Sequence, residues 1–232
     1  MRQRKIEHHL SRAFLLSLLF AVLFGLMAYL VHKSLVHSFD QHVISFVQGF
    51  ETPQITALMK FLSWIGSGTI VLILAIISLL VFRKILMHRS EVILYVSVVL
   101  GSAILNQILK SLFHRSRPSL HRLANATGFS FPSGHSMEAV AFYGILAFIL
   151  WRHTPTSWGR GLLIFFSTLM ILGIGISRIY LGVHYPSDVL GGYLCSICWL
   201  ALSIWHYQRS KDKEASALDE EKTKLGSPKS SI

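Results

Sequence analysis

The chain has 232 residues, 52% of them hydrophobic and only 14% charged, with a mean hydropathy of +0.53 and a formal net charge of +11. An ordinary globular domain is about a quarter charged, so this balance excludes most water-soluble architectures. A basic chain attracts nucleic acid or anionic lipid. Here long apolar runs separate the charges, which selects a lipid bilayer as partner and argues against nucleic acid.

Residues 13–31 contain no charge and one polar residue, Ser17. About 20 such residues cross a hydrocarbon core of about 30 Å. The basic start (Arg2, Arg4, Lys5, Arg12) resembles the flank of a signal peptide. The apolar run is longer than such peptides carry, however, and no small-residue cleavage site follows it, so a retained span is expected. Between this span and the next, residues 40–50 place Val43, Phe46, Val47 and Phe50 at helical spacing among polar residues, the pattern of a short helix lying in the membrane interface, or equally of a simple connecting helix. Five further spans are predicted at 65–82, 92–112, 136–151, 161–176 and 189–207. The fold class is therefore all-α, a polytopic membrane protein with six transmembrane helices. Residues 1–207 form the membrane domain. The charged segment 208–232 reads as a disordered tail. Cys195 and Cys198 form a lone C-x-x-C inside an apolar run and read as small buried hydrophobes.

Lysine and arginine accumulate on the cytoplasmic side of membrane proteins. With the N-terminus inside, segments 1–12, 83–91, 152–160 and 208–232 are cytoplasmic and hold 4, 3, 2 and 6 of the 22 Lys and Arg, 15 in all, leaving seven outside. Both termini are then cytoplasmic, in a plasma-membrane setting. The opposite orientation would place the basic excess outside.

Polar and charged residues at membrane depth are costly and mark function. Here they gather at the ends of spans: Lys110 and Arg117-Pro118 after span three, Pro132-Ser133-Gly134-His135 before span four, Ser177-Arg178 closing span five, and His184 through Asp188 before span six. By the charge count all of them lie on the extracytoplasmic side. Three cations, Lys110, Arg117 and Arg178, with only Asp188 and Glu138 as nearby acids, call for an anion. Arginine forks match phosphate oxygens, and lysine adds a point charge. Ser133 and Gly134, opening a helix, offer backbone N–H groups and the positive end of the dipole. No cluster of Asp and Glu stands ready for magnesium or calcium, so neither metal nor cofactor is expected. His184 has Asp188 four residues on; a carboxylate on one ring nitrogen frees the other to attack, which suits a nucleophile passing through phosphohistidine. His135 has no such partner and suits the acid that protonates the leaving oxygen. Glu138, one turn into span four, reads as a partner for a cradle cation or as a contact to a lipid headgroup. Asn106 and Gln107 read as bonds between helices.

Together, Lys110-x6-Arg117-Pro118, Pro132-Ser133-Gly134-His135 and Ser177-Arg178-x5-His184-x3-Asp188 resemble the three-part signature of the type 2 phosphatidic acid phosphatase family, with every part present and in order. The resemblance implies a six-helix membrane fold and metal-independent phosphatase activity. It implies catalytic roles for His184, His135 and Asp188, and phosphate binding by Lys110, Arg117, Ser133, Gly134 and Arg178. Chain size and short loops are similar to bacterial members that act on phosphatidylglycerophosphate or undecaprenyl pyrophosphate; phosphatidate is a third candidate substrate. A phosphotransferase would use the same phosphohistidine with a lipid acceptor. A vanadium haloperoxidase shares the cradle but lacks six apolar spans. A transporter for anions or lipids would carry polar residues through the middle of its spans, whereas here they gather at one end. Nothing in the sequence sets the oligomeric state, and a monomer is compatible with it.

Overall fold

The structure, a computed structural model, describes residues 2–119 and 121–226, and the side chains of 12–119 and 121–218. Among these the regular structure is entirely helical. In chain order the helices are α1 (Arg2–His32), α2 (His37–Gln48), α3 (Pro53–Ile65), α4 (Gly68–Ile85), α5 (Arg89–Phe113), α6 (Gly134–His153), α7 (Ser157–Tyr180) and α8 (Pro186–Gly226). Six are long and apolar enough to cross a membrane: Arg12–His32 of α1, α4, α5, α6, α7 and Pro186–Leu218 of α8. At about 1.5 Å per residue the 25 residues of α5 reach ~37 Å, enough to span the hydrocarbon core.

α6 is the buried centre of the bundle, packed by α4, α5, α7 and α8. Its Met137, Ala139, Val140, Ala141, Phe142 and Ile145 are all buried. Val71 and Ala75 of α4, with Leu94, Tyr95 and Val98 of α5, complete one core against it. The Tyr95 hydroxyl is hydrogen-bonded to Ser78 Oγ at 2.7 Å and lies 3.2 Å from the carbonyl of Ala75, so its polar end is satisfied within the bundle. α1 lies along α8 and leaves Leu15, Leu18, Leu19, Val22 and Leu26 on the outside, the surface that lipid covers.

The sequence leads to one helix between the first two spans, and the structure has two. α2 begins at His37 rather than at residue 40. α3 follows, with Pro53 at its first position and Thr52 Oγ1 accepting from the N–H of Ile55 at 3.2 Å. Thr and Pro at these positions open a helix because the first N–H groups have no helical acceptor. Gly66 and Ser67 break the apolar run, so the second span starts at Gly68 and not at 65. The segment from Arg209, expected to lack structure from its charge, continues α8. A helix already nucleated by the span extends at little cost through good helix formers. Lys211 and Glu214 pair at 2.9 Å along it. Residues 227–232 of that tail lie outside the described residues.

At one end of the bundle the last turns of α5 and α7 meet the first turns of α6 and α8. Phe131, fully buried, wedges this end together. Its ring stacks on Phe24 of α1 at 5.9 Å and meets Phe113 of α5 edge-on at 5.0 Å. Replacing Phe131 with alanine should destabilise the protein by about 3 kcal/mol through the lost burial and the cavity left behind, read as a lowered melting midpoint in detergent. An unchanged midpoint would remove Phe131 from this role. The opposite end carries a separate ion network: Arg152 Nη1 donates to Glu91 at 3.0 Å and to the Tyr207 hydroxyl at 2.9 Å, beside a cavity of about 730 Å³.

Candidate active site

The site is assembled by four helix ends and two loops. α5 stops at His114, which adopts the left-handed conformation at φ 48 and ψ 27. That turn sends Arg115 and Arg117 back over the bundle end instead of onward into solvent. Arg117 is fixed by three carbonyls: Nε donates to Gly128 at 3.0 Å, Nη2 to Thr127 at 2.9 Å and Nη1 to Val183 at 2.8 Å. Burial lowers its pKa, with Asp188 opposing. The same Nη1 lies 3.0 Å from His184 Nε2. A guanidinium has no acceptor, so Nε2 must be the bare nitrogen and the ring proton sits on Nδ1. Burial pushes the His184 imidazole down to about 4, with the Asp188 carboxylate pulling against it, so the ring is neutral at physiological pH.

The loop that presents His184 is set by Gly182. Its φ is +67, a conformation that glycine adopts readily, and a Cβ there would lie 1.8 Å from the carbonyl oxygen of His121. The N–H groups of Val183 and His184 then return to the carbonyl of Arg178 at 3.2 and 3.3 Å. Arg178 is buried against α3, where Nη1 donates to Ser63 Oγ; its Nε is buried with no partner among the described residues.

α6 opens beside these groups. Ser133 caps it: its hydroxyl oxygen accepts from Ser136 Oγ at 3.0 Å, and its own N–H donates to the carbonyl of Asp188 at 3.0 Å. The N–H of Ser133 is therefore committed, and the backbone donors left in this first turn are those of Gly134 and His135. A Cβ on Gly134 would meet Asn106 Oδ1 at 3.0 Å and Lys110 Nζ at 3.6 Å, which places the Lys110 ammonium against the mouth of α6. His135 is half-buried and lies within the field of Arg178, His184, Lys110 and Arg117. All eight residues singled out in the sequence thus come together at one end of the bundle.

Three details differ from expectation. Asp188 Oδ2 stands 3.5 Å from His184 Nδ1, an ion-pair distance longer than a direct bond. That oxygen already accepts from Ser130 Oγ at 2.5 Å and from the N–H of Tyr185 at 2.8 Å. Glu138 makes no ion pair among the described residues; its carboxylate rests instead against the first residue of α4, 3.2 Å from where a Gly68 Cβ would be. Asn106 bridges to the carbonyl of Pro132 at 3.2 Å, but Gln107 is exposed on α5.

The PAP2 superfamily model matches residues 91–212, α5 through the membrane part of α8 and so the whole cradle. The chain belongs to the PAP2 superfamily. Phosphatidylglycerophosphatase B of Bacillus subtilis is 31% identical over 174 residues, covering 73% of this chain and 84% of that protein. Undecaprenyl-diphosphatase BcrC of Bacillus subtilis is 31% identical over 113 residues, 45% of this chain and 52% of that protein. Among solved structures, a transmembrane PAP2-type phosphatidylglycerolphosphate phosphatase from Bacillus subtilis superposes with a TM-score of 0.74 at 28% identity, covering 86% of this chain and 96% of that one. This PAP2 protein is accordingly a multi-pass membrane phosphatase, a phosphoric-ester hydrolase.

Several polar groups of the PAP2 site escaped the sequence reading. Arg115 stands between two carboxylates, with Nη1 at 2.6 Å from Asp188 Oδ1 and Nη2 at 2.8 Å from Asp40 Oδ2. Asp40 comes from α2 and is fully buried. Ser130 and Ser63 complete the set. Asp40 gave one usable sign, as the only acid between the end of the first span and Glu51. The two serines gave none.

Proposed function

We propose that this PAP2 protein removes a terminal phosphate from a membrane lipid through a phosphohistidine on His184. One observation carries the reading: a neutral buried imidazole whose bare Nε2 faces a cluster of arginine and lysine and whose Nδ1 faces a carboxylate. The phosphoryl oxygens take the donors of Arg117, Arg178, Lys110 and the first turn of α6, with the Ser133 hydroxyl beside them. Nε2 then bonds to phosphorus as the bond from phosphorus to the lipid oxygen breaks, and His135 gives that oxygen its proton. Water enters next. His135 takes a proton from it, oxygen bonds to phosphorus, the N–P bond breaks and inorganic phosphate leaves. Asp188 supports the positive charge that builds on His184 in both steps.

Phosphatidylglycerophosphate stands first among substrates, because the relative named for it matches the chain over the greater length. Undecaprenyl pyrophosphate and phosphatidate present the same terminal group. The charge count supports a site on the extracytoplasmic side, with both termini inside.

The test is phosphate release by purified protein in detergent with EDTA, across these three lipids. Turnover that persists in EDTA, fastest on phosphatidylglycerophosphate, is expected. Release requiring added magnesium would overturn the metal-free mechanism. The pH profile is a second reading. His184 must be neutral to attack, and its pKa in the free enzyme is depressed to about 4. The acid limb of kcat/KM should therefore lie near pH 4, with His184 still neutral at pH 5. An acid limb at an ordinary histidine value of about 6.5 would contradict the buried geometry.

A further inference from the structure

The Asp40 carboxylate belongs to a helix that carries no part of the phosphate cradle, yet it is 0% exposed and accepts three hydrogen bonds at the back of the site. Oδ1 accepts from the N–H of Ser187 at 2.9 Å; Oδ2 accepts from Ser187 Oγ at 2.7 Å and from Arg115 Nη2 at 2.8 Å. Ser187 Oγ in turn accepts from Arg115 Nη1 at 2.8 Å. The Arg115 guanidinium is packed over the Tyr185 ring at 4.2 Å, which fixes its plane. Arg115 reaches Asp188 through Oδ1 only, so Oδ2 is left to Ser130, the Tyr185 N–H and His184.

We propose that Asp40 is a positioning residue for the reaction: through Arg115 and Ser187 it fixes which oxygen of Asp188 faces His184, and it shares the charge of Arg115. Without Asp40 the whole guanidinium charge falls on Asp188, whose hold on an imidazolium weakens. With it, the three groups Asp40, Arg115 and Asp188 carry one net negative charge, and that charge balances the positive charge His184 acquires when it is phosphorylated. Both oxygens of Asp40 also hold the first turn of α8, so the turn bearing Asp188 is tied to α2 as well as to its own helix. The proposal rests on the reading of His184 as nucleophile.

Asp40→Asn keeps the size of the side chain and removes its charge. Its kcat should fall about tenfold, within the range found for coupled buried networks, while KM stays within about twofold because no phosphate ligand is touched. A second readout does not need turnover. The groups that face His184 are Asp188 from α8, Arg117 from the loop after α5, Arg178 from α7 and His135 from α6. Removing the negative charge behind Asp188 should shift the His184 titration to lower pH, measured by NMR of ring-labelled histidine and assigned by the signal lost in His184→Ala. Simple loosening of the site would admit water and move that titration upward, toward the ordinary value. Wild-type kcat in Asp40→Asn, a loss confined to KM, or an upward shift would overturn the proposal. The shift can be read even if no lipid is hydrolysed, so failure of the relay and failure of the phosphatase reading are distinguishable.

Should Asp40→Asn not fold, Arg115→Gln and the double variant Asp40→Asn with Arg115→Gln carry the test. Arg115→Gln strands two buried carboxylates; the double variant removes the extra charge together with its partner. The double variant should exceed Arg115→Gln in kcat, and a double variant no better than the single would overturn the relay.

Discussion

Replacing His184 with alanine should reduce phosphate release by roughly 10⁴-fold or more, the scale of loss when a nucleophile is removed from an otherwise intact site. No neighbour can take its place. Among the described residues no carboxylate bonds to His135, and Ser130, whose Oγ lies 3.4 Å from His184 Nδ1, spends its hydroxyl proton on Asp188 at 2.5 Å. Wild-type protein incubated with lipid labelled in its terminal phosphate and quenched in alkaline detergent should carry acid-labile, base-stable label, and His184→Ala should carry none. Label retained by the variant, or undiminished turnover, would remove His184 from the chemistry. A His135→Ala variant that still accepts label but turns over slowly is the companion result, since leaving-group protonation and water activation both depend on it.

Arg117→Lys should cost about 10² to 10³ in kcat/KM although the charge is kept. The range is that for losing one preorganised donor to developing charge. Arg117 does two things that an ammonium cannot do together. Its Nε and Nη2 hold the carbonyls of Gly128 and Thr127, closing the loop that leads to α6. Its Nη1 sits on both the Val183 carbonyl and His184 Nε2, where the proposed mechanism needs a donor beside the attacking nitrogen. A lysine reaches one of these places at a time. Near-normal kinetics in Arg117→Lys would mean that charge alone suffices and that the fork geometry is incidental.

What could be read from the sequence followed the physics of each feature. Six spans were legible because a bilayer demands long apolar runs, whatever the tertiary packing. That Lys110, Arg117, Arg178, His135 and His184 gather at one end of the bundle was legible because they are costly at membrane depth and cluster at span ends. α3 was not, because Gln54, Thr56, Lys60 and Ser63 interrupt its apolar residues, so 53–65 lack the unbroken run of a span, and the boundaries rest on Thr52, Gly66 and Ser67. The support behind the site was hidden for a different reason. Asp40, Arg115 and Ser63 meet their partners across 147, 73 and 115 residues of chain. No local spacing announces a bond of that range. Ser133 shows the limit within a motif: its place could be read, but not the commitment of its N–H to Asp188. The helical course of residues 208–226 was hidden by composition, since charge density speaks against a packed core but not against the continuation of an existing helix.

Gly182 carries a consequence for how the chain can vary in length. It brings the backbone of the 181–185 loop onto His121 with no room for a single carbon, and the N–H of Leu123 donates to the carbonyl of Leu181 at 3.0 Å beside it. These two contacts divide the long connection between α5 and α6. Residues 124–133 lie on the catalytic side, where one added residue would displace Ser130, Phe131 and the opening of α6. Residues 118 and 119 lie outside the clasp, where an insertion would leave His184, Arg117 and Asp188 in register. Tolerance to insertion should therefore change abruptly at residue 121, within a loop that looks uniform when read along the chain.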